Sequence, residues 1–145
     1  MLIKKISDED IGNLYKIGLQ EFKGESWFSK KFLRETIKTP GYYYGAFEKG
    51  RLVGGILARR FDRPKLWIFF FAINKKYRGR GIGGKLLGMI EKKCSRAYPL
   101  IFVDICEASS EAKKFYKKHG FKQQAKIKDW FGINQEGIIY SKQVI

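Results

Sequence analysis

A glycine-rich stretch with two arginines, RGRGIGG at residues 78–84, carries the clearest chemical signal in the sequence. Glycine lets the backbone adopt a positive φ and approach a ligand closely, and the first N–H groups of a following helix attract anions. The helix dipole strengthens that attraction, and the two guanidinium groups add positive charge. We therefore expect this stretch to bind phosphate, and we call it the phosphate loop.

Three nucleotide-binding patterns overlap on the phosphate loop, and they imply different functions. Residues 79–84 match GxGxxG of dinucleotide-binding folds, and Asp104 follows about 20 residues later, where an acidic ribose ligand is expected. Residues 79–85 match a Walker A loop, except that Leu86 replaces the Ser or Thr that holds Mg²⁺. Residues 78–83 match RxxGxG, a pyrophosphate-binding pattern of a third class. The elements on either side of the loop must decide among these patterns.

Size and composition limit the range of functions. The chain has 145 residues, 44% hydrophobic and 16% aromatic, which predicts one domain covering residues 1–145. The longest apolar run, Leu66 to Ile73, is far shorter than the roughly 20 residues of a membrane helix, and the first ten residues are too polar for a signal peptide. We expect a soluble, cytoplasmic protein. Cys94 and Cys106 have no neighbours at ligand spacing, so neither a metal nor a disulfide framework is expected.

The positive charge of the chain is unusually large. Thirty Lys and Arg against fourteen Asp and Glu give a net charge of +16, and residues 74–128 carry fifteen basic and four acidic side chains. Such a field suits a polyanionic ligand bound at the loop, and it equally suits a nucleic-acid surface. A lysine-rich, solvated face without a partner is the third interpretation of the charge.

Two helices and four strands are predicted before the loop. A strand at 2–6 leads to a helix that starts at Ser7, with Asp10 in its acidic first turn. A second helix at 29–38 is ended by the Pro-Gly pair that follows. The sequence then predicts an antiparallel meander of three strands at 42–47, 52–61 and 66–73.

The elements after the loop form one crossover and a hairpin. The helix that opens near Gly83 is predicted to bury Leu86, Leu87, Ile90, Cys94 and Ala97. The remaining elements are a strand at 100–106, a helix at 109–118 ended by His119 and Gly120, and a hairpin of strands 121–128 and 137–144 around a loop at 130–136.

This order of elements disfavours two of the three patterns. A dinucleotide-binding fold places its fingerprint after the first strand and continues with several βαβ units, whereas here a meander precedes the loop. A P-loop ATPase needs further parallel strands and an acidic Mg²⁺ ligand, for which the remainder is too short. The RxxGxG pattern is therefore preferred.

Nearly the whole sequence resembles the GNAT superfamily of N-acetyltransferases. The apolar strand up to Ile73, Tyr77, the RGRGIG segment and the following Leu86-Leu87 resemble the acetyl-CoA motif of that family. The segment 112–121, AxxxYxxxGF, resembles its second motif. The resemblance implies an α/β fold with a mixed, strongly bent sheet of about seven strands and flanking helices. Its fourth and fifth strands would splay apart around pantetheine.

The resemblance also implies the reaction and its residues. The acetyl group of acetyl-CoA would pass directly to a primary amine, which could be a protein N-terminus, a lysine or a small amine. Tyr116 would be the general acid that protonates the leaving thiolate, and Asp104 the general base, with Glu107 as its alternative. Trp130 and Phe131 would lie near the acceptor. The implied cofactor contacts are Phe71, Ala72, Ile73, Arg78, Gly79, Arg80, Gly81, Ile82, Gly83, Gly84 and Ser109, and Ser109 also fits a helix N-cap.

The resemblance to the branch that acetylates protein N-termini, including those of ribosomal proteins, rests on the Val103-Asp104-Ile105 segment. Expected partners are acetyl-CoA, an amine acceptor and non-specific polyanions, but no membrane. The chain would act as a monomer or homodimer. The competing function is a non-enzymatic nucleic-acid-binding domain, which predicts steep salt dependence and no specific stabilisation by acetyl-CoA.

Overall fold

The chain forms a mixed sheet of seven strands in this computed structural model, which describes all residues from Met1 to Ile145. The order across the sheet is β1-β2-β3-β4-β5-β7-β6. The strands are β1 (Leu2–Lys5), β2 (Tyr42–Glu48), β3 (Arg51–Arg60), β4 (Lys65–Ile73), β5 (Leu100–Cys106), β6 (Lys122–Gly132) and β7 (Gln135–Gln143). The helices are α1 (Ile11–Phe22), α2 (Lys30–Thr36), α3 (Ile82–Glu91) and α4 (Ser110–Lys118). The predicted α/β class with a mixed sheet is confirmed.

The chain divides into two compact units. The first unit contains residues 1–59 and 70–93, and the second contains residues 60–69 and 94–145. In the first unit, β2 pairs antiparallel with β1 and with β3. In the second unit, β4 pairs parallel with β5 from Lys65–Leu100 to Ile68–Val103, and β7 pairs antiparallel with both β5 and β6.

An aromatic cluster forms much of the core of the first unit. The Phe28 ring stacks on Tyr15 at a centroid distance of 5.2 Å and on Phe70 at 5.9 Å. Gly18 of α1 is needed here, because a Cβ at this position would lie 2.8 Å from the Phe70 ring. The absence of a side chain therefore lets α1 pack closely against these rings.

Side-chain hydrogen bonds mark the start of the turn before α1 and the start of α2. The Ser7 backbone N–H donates to the Asp10 carboxylate at 2.9 Å, and a short 3-10 turn at Asp8–Asp10 precedes α1. The Ser29 hydroxyl accepts from the Phe32 N–H at 3.0 Å at the start of α2. α1 begins at Ile11, four residues after the predicted helix start at Ser7, whereas α2 begins directly after Ser29, as expected, and ends two residues earlier than expected, at Thr36.

In the second unit, alternate residues of β5 enter the core. Ile101, Val103 and Ile105 are buried, whereas Asp104 is half-buried on the other side of the strand. No helix of the chain has both the length and the apolar character needed to cross a membrane.

The structure corrects the predicted end of the helix after the loop. α3 ends at Glu91, so Cys94 and Ala97 lie beyond it instead of on its apolar face. The last turn tightens, because the Lys93 N–H bonds to the Ile90 carbonyl at 2.9 Å. Ser95 and Tyr98 then exchange two backbone hydrogen bonds of 3.1 and 3.0 Å, which form a turn instead of a further helical turn.

The predicted loop at 130–136 is also wrong, because β6 continues to Gly132 and β7 starts at Gln135. Asp129 adopts a φ of +57°, and the register shifts between Ile127 and Gly132, so an irregular strand passes through residues that resemble a loop. The Asp129 carboxylate accepts from the Asn134 N–H at 2.7 Å, which closes a tight hairpin. Trp130 therefore lies in a strand.

Candidate active site

The phosphate loop follows β4 and joins it to α3 in the first unit. Gly79 and Gly81 have φ values of +78° and +80°, which non-glycine residues rarely adopt. A Cβ at either position would meet no heavy atom within 4 Å, so glycine is required by the backbone conformation and not by crowding. The open space at both glycines leaves room for a ligand to approach the backbone closely.

The start of α3 supplies the donors of this loop. Gly81 is the N-cap, and Lys85 is the first residue whose N–H reaches back to it, at 3.2 Å. The N–H groups of residues 82–84 have no acceptor within the helix, as at every helix start, and the helix dipole makes this end positive. The arrangement is suited to binding an anion.

Arg78 braces the phosphate loop. Its Nε donates to the Ile73 carbonyl at 3.2 Å, and its guanidinium forms an ion pair with Glu21 of α1. A second link joins the Lys75 N–H to the Gln20 side chain at 3.2 Å. The side chain of Arg78 thus ties the loop to the end of β4 and to α1.

Arg80 lies on the exposed side of the same loop. Its guanidinium is 4.9 Å from the centre of the Tyr77 ring, within the range of a cation–π contact. The predicted cofactor contacts Phe71, Ala72 and Ile73 are the last three residues of strand β4, and Ala72 is buried.

Asp104 is the centre of a hydrogen-bonded cluster in the second unit. One carboxylate oxygen accepts from the Trp67 indole N–H at 2.9 Å, and the other accepts from the Trp130 indole N–H at 3.0 Å. The two indoles come from β4 and β6, while Asp104 lies on β5. The donors fix the orientation of the carboxylate, and each oxygen retains a further lone pair for a proton or a water.

Tyr116 is buried in α4, where it makes edge-on contacts with the Phe115 and Phe121 rings at centroid distances of 5.2 and 5.1 Å. Burial raises the pKa of the Tyr116 hydroxyl well above its ordinary value, and the negative charge of Asp104 raises it further. The phenol therefore stays protonated at neutral pH and can only donate its proton.

Glu107, the alternative base, has a different environment. Its carboxylate accepts a hydrogen bond from the Lys113 ammonium at 3.1 Å. This hydrogen bond, together with the positive charge of Lys113, lowers the pKa of Glu107. A carboxylate that is stabilised in its charged form is a weaker base, which counts against Glu107 as the general base.

Comparison with known proteins identifies the family to which the chain belongs. The sequence profile described as "Acetyltransferase (GNAT) family" matches residues 9–121, which include the phosphate loop, Asp104 and Tyr116. The chain belongs to the GNAT acetyltransferase family. It is an N-acetyltransferase, and members of the family take the acetyl group from acetyl-CoA, as the sequence resemblance implied.

Similar proteins span nearly the full length of this GNAT chain. The spermine/spermidine N(1)-acetyltransferase of Bacillus subtilis is 25% identical over 130 residues, covering 82% of this chain and 86% of that protein. Ard1 from Thermoplasma volcanium superposes with a TM-score of 0.89 at 22% identity, covering 99% and 97% of the two chains. Arabidopsis thaliana Naa50, solved with the bisubstrate analogue CoA-Ac-MVNAL, superposes with a TM-score of 0.82 at 23% identity. The match covers 98% of this chain and 97% of that chain. These structural likenesses concern the fold.

Ser109 has the capping role that was expected for it in this GNAT chain. Its hydroxyl accepts from the Ala112 N–H at 3.3 Å at the start of α4, and its contact with the cofactor stays a prediction. His119 is at the other end of α4, 4.4 Å from the Phe115 ring. The helix thus begins and ends where the sequence indicated.

Two members of the site, Trp67 and Glu21, were not singled out from the sequence. Trp67 and Glu21 lie 37 and 57 residues from the side chains they bond, so no local pattern connects them. The sequence predicted that Trp130 lies near the acceptor, but not that its indole donates to Asp104. No local sequence pattern indicated that bond, because Asp104 and Trp130 are 26 residues apart.

Proposed function

We propose that this GNAT enzyme acetylates the α-amine of a peptide or protein, with Asp104 as general base and Tyr116 as general acid. The observation that carries the proposal is the Asp104 cluster, in which a carboxylate is held by two indole donors beside an exposed Trp130 ring. A carboxylate attracts an ammonium group and accepts its proton, and an indole ring binds a cation through its π face.

The phosphate loop fits the pyrophosphate of acetyl-CoA. Residues 82–84 would donate their backbone N–H groups to it, since these donors have no acceptor within α3. Arg80 would add charge from the exposed side, and Arg78 would keep the loop in place through Glu21. Acetyl-CoA, when bound, supplies a thioester carbonyl as the acceptor of the amine.

Asp104 would remove the proton that blocks attack. An α-amine has a pKa near 8 and is mostly an ammonium ion at neutral pH, so a base must take one proton before the nitrogen can attack. The Asp104 carboxylate would take it directly or through one water, because its side chain is one methylene shorter than that of glutamate.

Tyr116 would protonate the sulfur as the bond between carbon and sulfur breaks, and the phenolate left behind would take the second proton of the amine nitrogen, which the amide does not keep. The phenol is protonated before this step, and its pKa is raised first by burial and then by the charge of Asp104. When Asp104 accepts the proton of the ammonium group, its charge is neutralised and the second cause disappears. Tyr116 therefore becomes a stronger acid at the stage at which the thiolate leaves.

The charge of the chain favours a peptide over a polyamine. A polyamine carries several ammonium groups, which a protein with a net charge of +16 repels, whereas a peptide presents a single α-ammonium group. The similarity to a spermine/spermidine acetyltransferase supports the polyamine as second candidate.

A direct comparison of acceptors tests the proposal. Thiol release from acetyl-CoA should be measured with N-terminal peptides of neutral and acidic sequence, with the same peptides blocked at the α-amine, and with spermidine. We expect turnover of the free peptides and none of the blocked ones. Faster turnover of spermidine than of every peptide would contradict the choice of acceptor while leaving the acetyltransferase activity intact.

A further inference from the structure

A cavity of about 380 Å³ lies next to the phosphate loop in the first unit. The turn between β2 and β3 contributes Glu48, Lys49 and Arg51 to its lining, and the loop segment contributes Tyr77 and Arg80. Arg80 belongs both to the cavity wall and to the phosphate loop, and Tyr77 lies directly before the loop. A ligand held by the phosphate loop can therefore extend into the cavity without leaving the protein surface.

The cavity is cationic. Lys49, Arg51 and Arg80 contribute three positive charges, against the single carboxylate of Glu48, which lies 3.8 Å from the N-terminal ammonium group. The Arg80 guanidinium contacts the Tyr77 ring at 4.9 Å from its centroid. Lys49 and Gly50 adopt φ values of +51° and +78°, so the turn places the Lys49 and Arg51 side chains at the end of the hairpin. The net effect is a site for a doubly charged anion.

The chemistry of coenzyme A supplies such an anion. Its pyrophosphate accounts for two phosphates, and a third is attached to the 3′ position of the ribose that carries the pyrophosphate. A phosphate monoester has a charge of about −1.5 to −2 at neutral pH. Since one ribose joins the two groups, the third phosphate must lie close to the loop. Guanidinium groups bind such a group through paired hydrogen bonds.

We propose that this cavity binds the 3′-phosphate of coenzyme A through Arg51 and Lys49, with Arg80 between it and the pyrophosphate. The proposal rests on the use of acetyl-CoA by this enzyme. It makes the β2–β3 turn the element that distinguishes coenzyme A from dephospho-coenzyme A, which differs from it only in this phosphate.

Calorimetric binding of these two compounds tests the proposal without measuring catalysis. We expect the wild-type chain to prefer coenzyme A by about tenfold or more, since a hydrogen bond to a charged group contributes about 1.5–3 kcal/mol. The double variant Lys49→Ala/Arg51→Ala should lose that preference and bind dephospho-coenzyme A as the wild type does. Arg34→Ala, an exposed arginine of α2 that does not line the cavity, should behave as the wild type.

The outcomes distinguish a failure of the cavity proposal from a failure of the assignment of acetyl-CoA. A double variant that keeps the full preference would overturn the proposal, as would a loss of preference on replacing Lys113 and Lys117 of α4 instead. A wild-type chain that binds both compounds equally would overturn the proposal alone, because the cofactor would still bind. A wild-type chain that binds neither compound would contradict the assignment of acetyl-CoA itself. Melting temperatures without ligand show that the variants are folded.

Discussion

At the scale of single residues, the proposed mechanism couples a base and an acid through charge. Asp104 raises the pKa of Tyr116 while it is ionised, and it stops doing so once it has taken a proton. With Asp104 as the base and Tyr116 as the acid, the two proton transfers would be linked in the order that the reaction needs. Burial remains the larger cause of the raised pKa, and it keeps the phenol from ionising between turnovers.

Replacing Tyr116 by phenylalanine removes the acid and keeps the ring in its aromatic surroundings. We expect kcat to fall by about 10²–10⁴, the usual contribution of general acid catalysis, while the affinity for acetyl-CoA stays nearly unchanged. Steady-state kinetics and calorimetry together measure both quantities. An unaltered kcat would remove Tyr116 from the chemistry.

Asp104→Asn and Glu107→Gln form a matched pair that identifies the base. Each variant removes one negative charge and preserves the shape of the side chain. Because the Glu107 carboxylate is held in its charged form by Lys113, we expect Asp104→Asn to lower kcat by about 10² or more and Glu107→Gln to leave it nearly unchanged. Rates with a saturating peptide decide between them, and the reverse ranking would assign the base to Glu107.

At the scale of elements, the phosphate loop is held in position by α1 and by the end of β4. α1 holds the loop from outside through Glu21 and Gln20, and the end of β4 holds it through the Ile73 carbonyl. The donors at the start of α3 therefore keep their positions before a ligand arrives. Binding then does not have to pay for ordering the loop.

Breaking the brace from either side shows how Arg78 acts. If Arg78 acts by positioning the loop, Glu21→Gln and Arg78→Ala should weaken coenzyme A binding to a similar extent. The expected loss is at most about fivefold, since a partly exposed ion pair contributes up to about 1 kcal/mol. Calorimetry on both single variants and the double variant measures it. A large loss confined to Arg78→Ala would mean that its guanidinium contacts phosphate directly.

At the scale of the whole molecule, the net charge of +16 concerns encounter more than fold. A positive field raises the rate at which polyanions such as coenzyme A arrive, and salt screens it. The expected cytoplasmic location, the single domain, the monomer or homodimer and the binding of other polyanions stay predictions.

The raised pKa of Tyr116 has a consequence for global stability. A buried phenol that keeps its proton stabilises the folded state fully below the ordinary pKa of tyrosine, about 10, and this contribution is lost as pH rises above it, because only the unfolded chain then loses the proton. Urea unfolding should therefore show a steeper loss of stability above pH 10 for the wild type than for Tyr116→Phe. The other seven tyrosines are common to both chains. Parallel curves would mean that Tyr116 ionises normally.

Local patterns made much of this fold predictable. The glycines of the phosphate loop, the caps at Ser7 and Ser109, and the strands of alternating burial all depend on neighbours within a few residues. The partners of Asp104 and Arg78 were not predictable, because each is brought close only by the pairing of distant segments. The extent of β6 was missed for another reason, since Asp129 and Gly132 indicate a loop by composition but are held in an irregular strand.

The two indoles that hold Asp104 also make the site observable by tryptophan fluorescence. The chain has three tryptophans, and two of them donate to this one carboxylate, while Trp27 belongs to the aromatic cluster of the first unit. In a Trp27→Phe chain, the intrinsic tryptophan emission comes only from the pair at Asp104. An amine that binds there changes the electric field at both indoles, so the colour and intensity of emission would follow acceptor binding without a label.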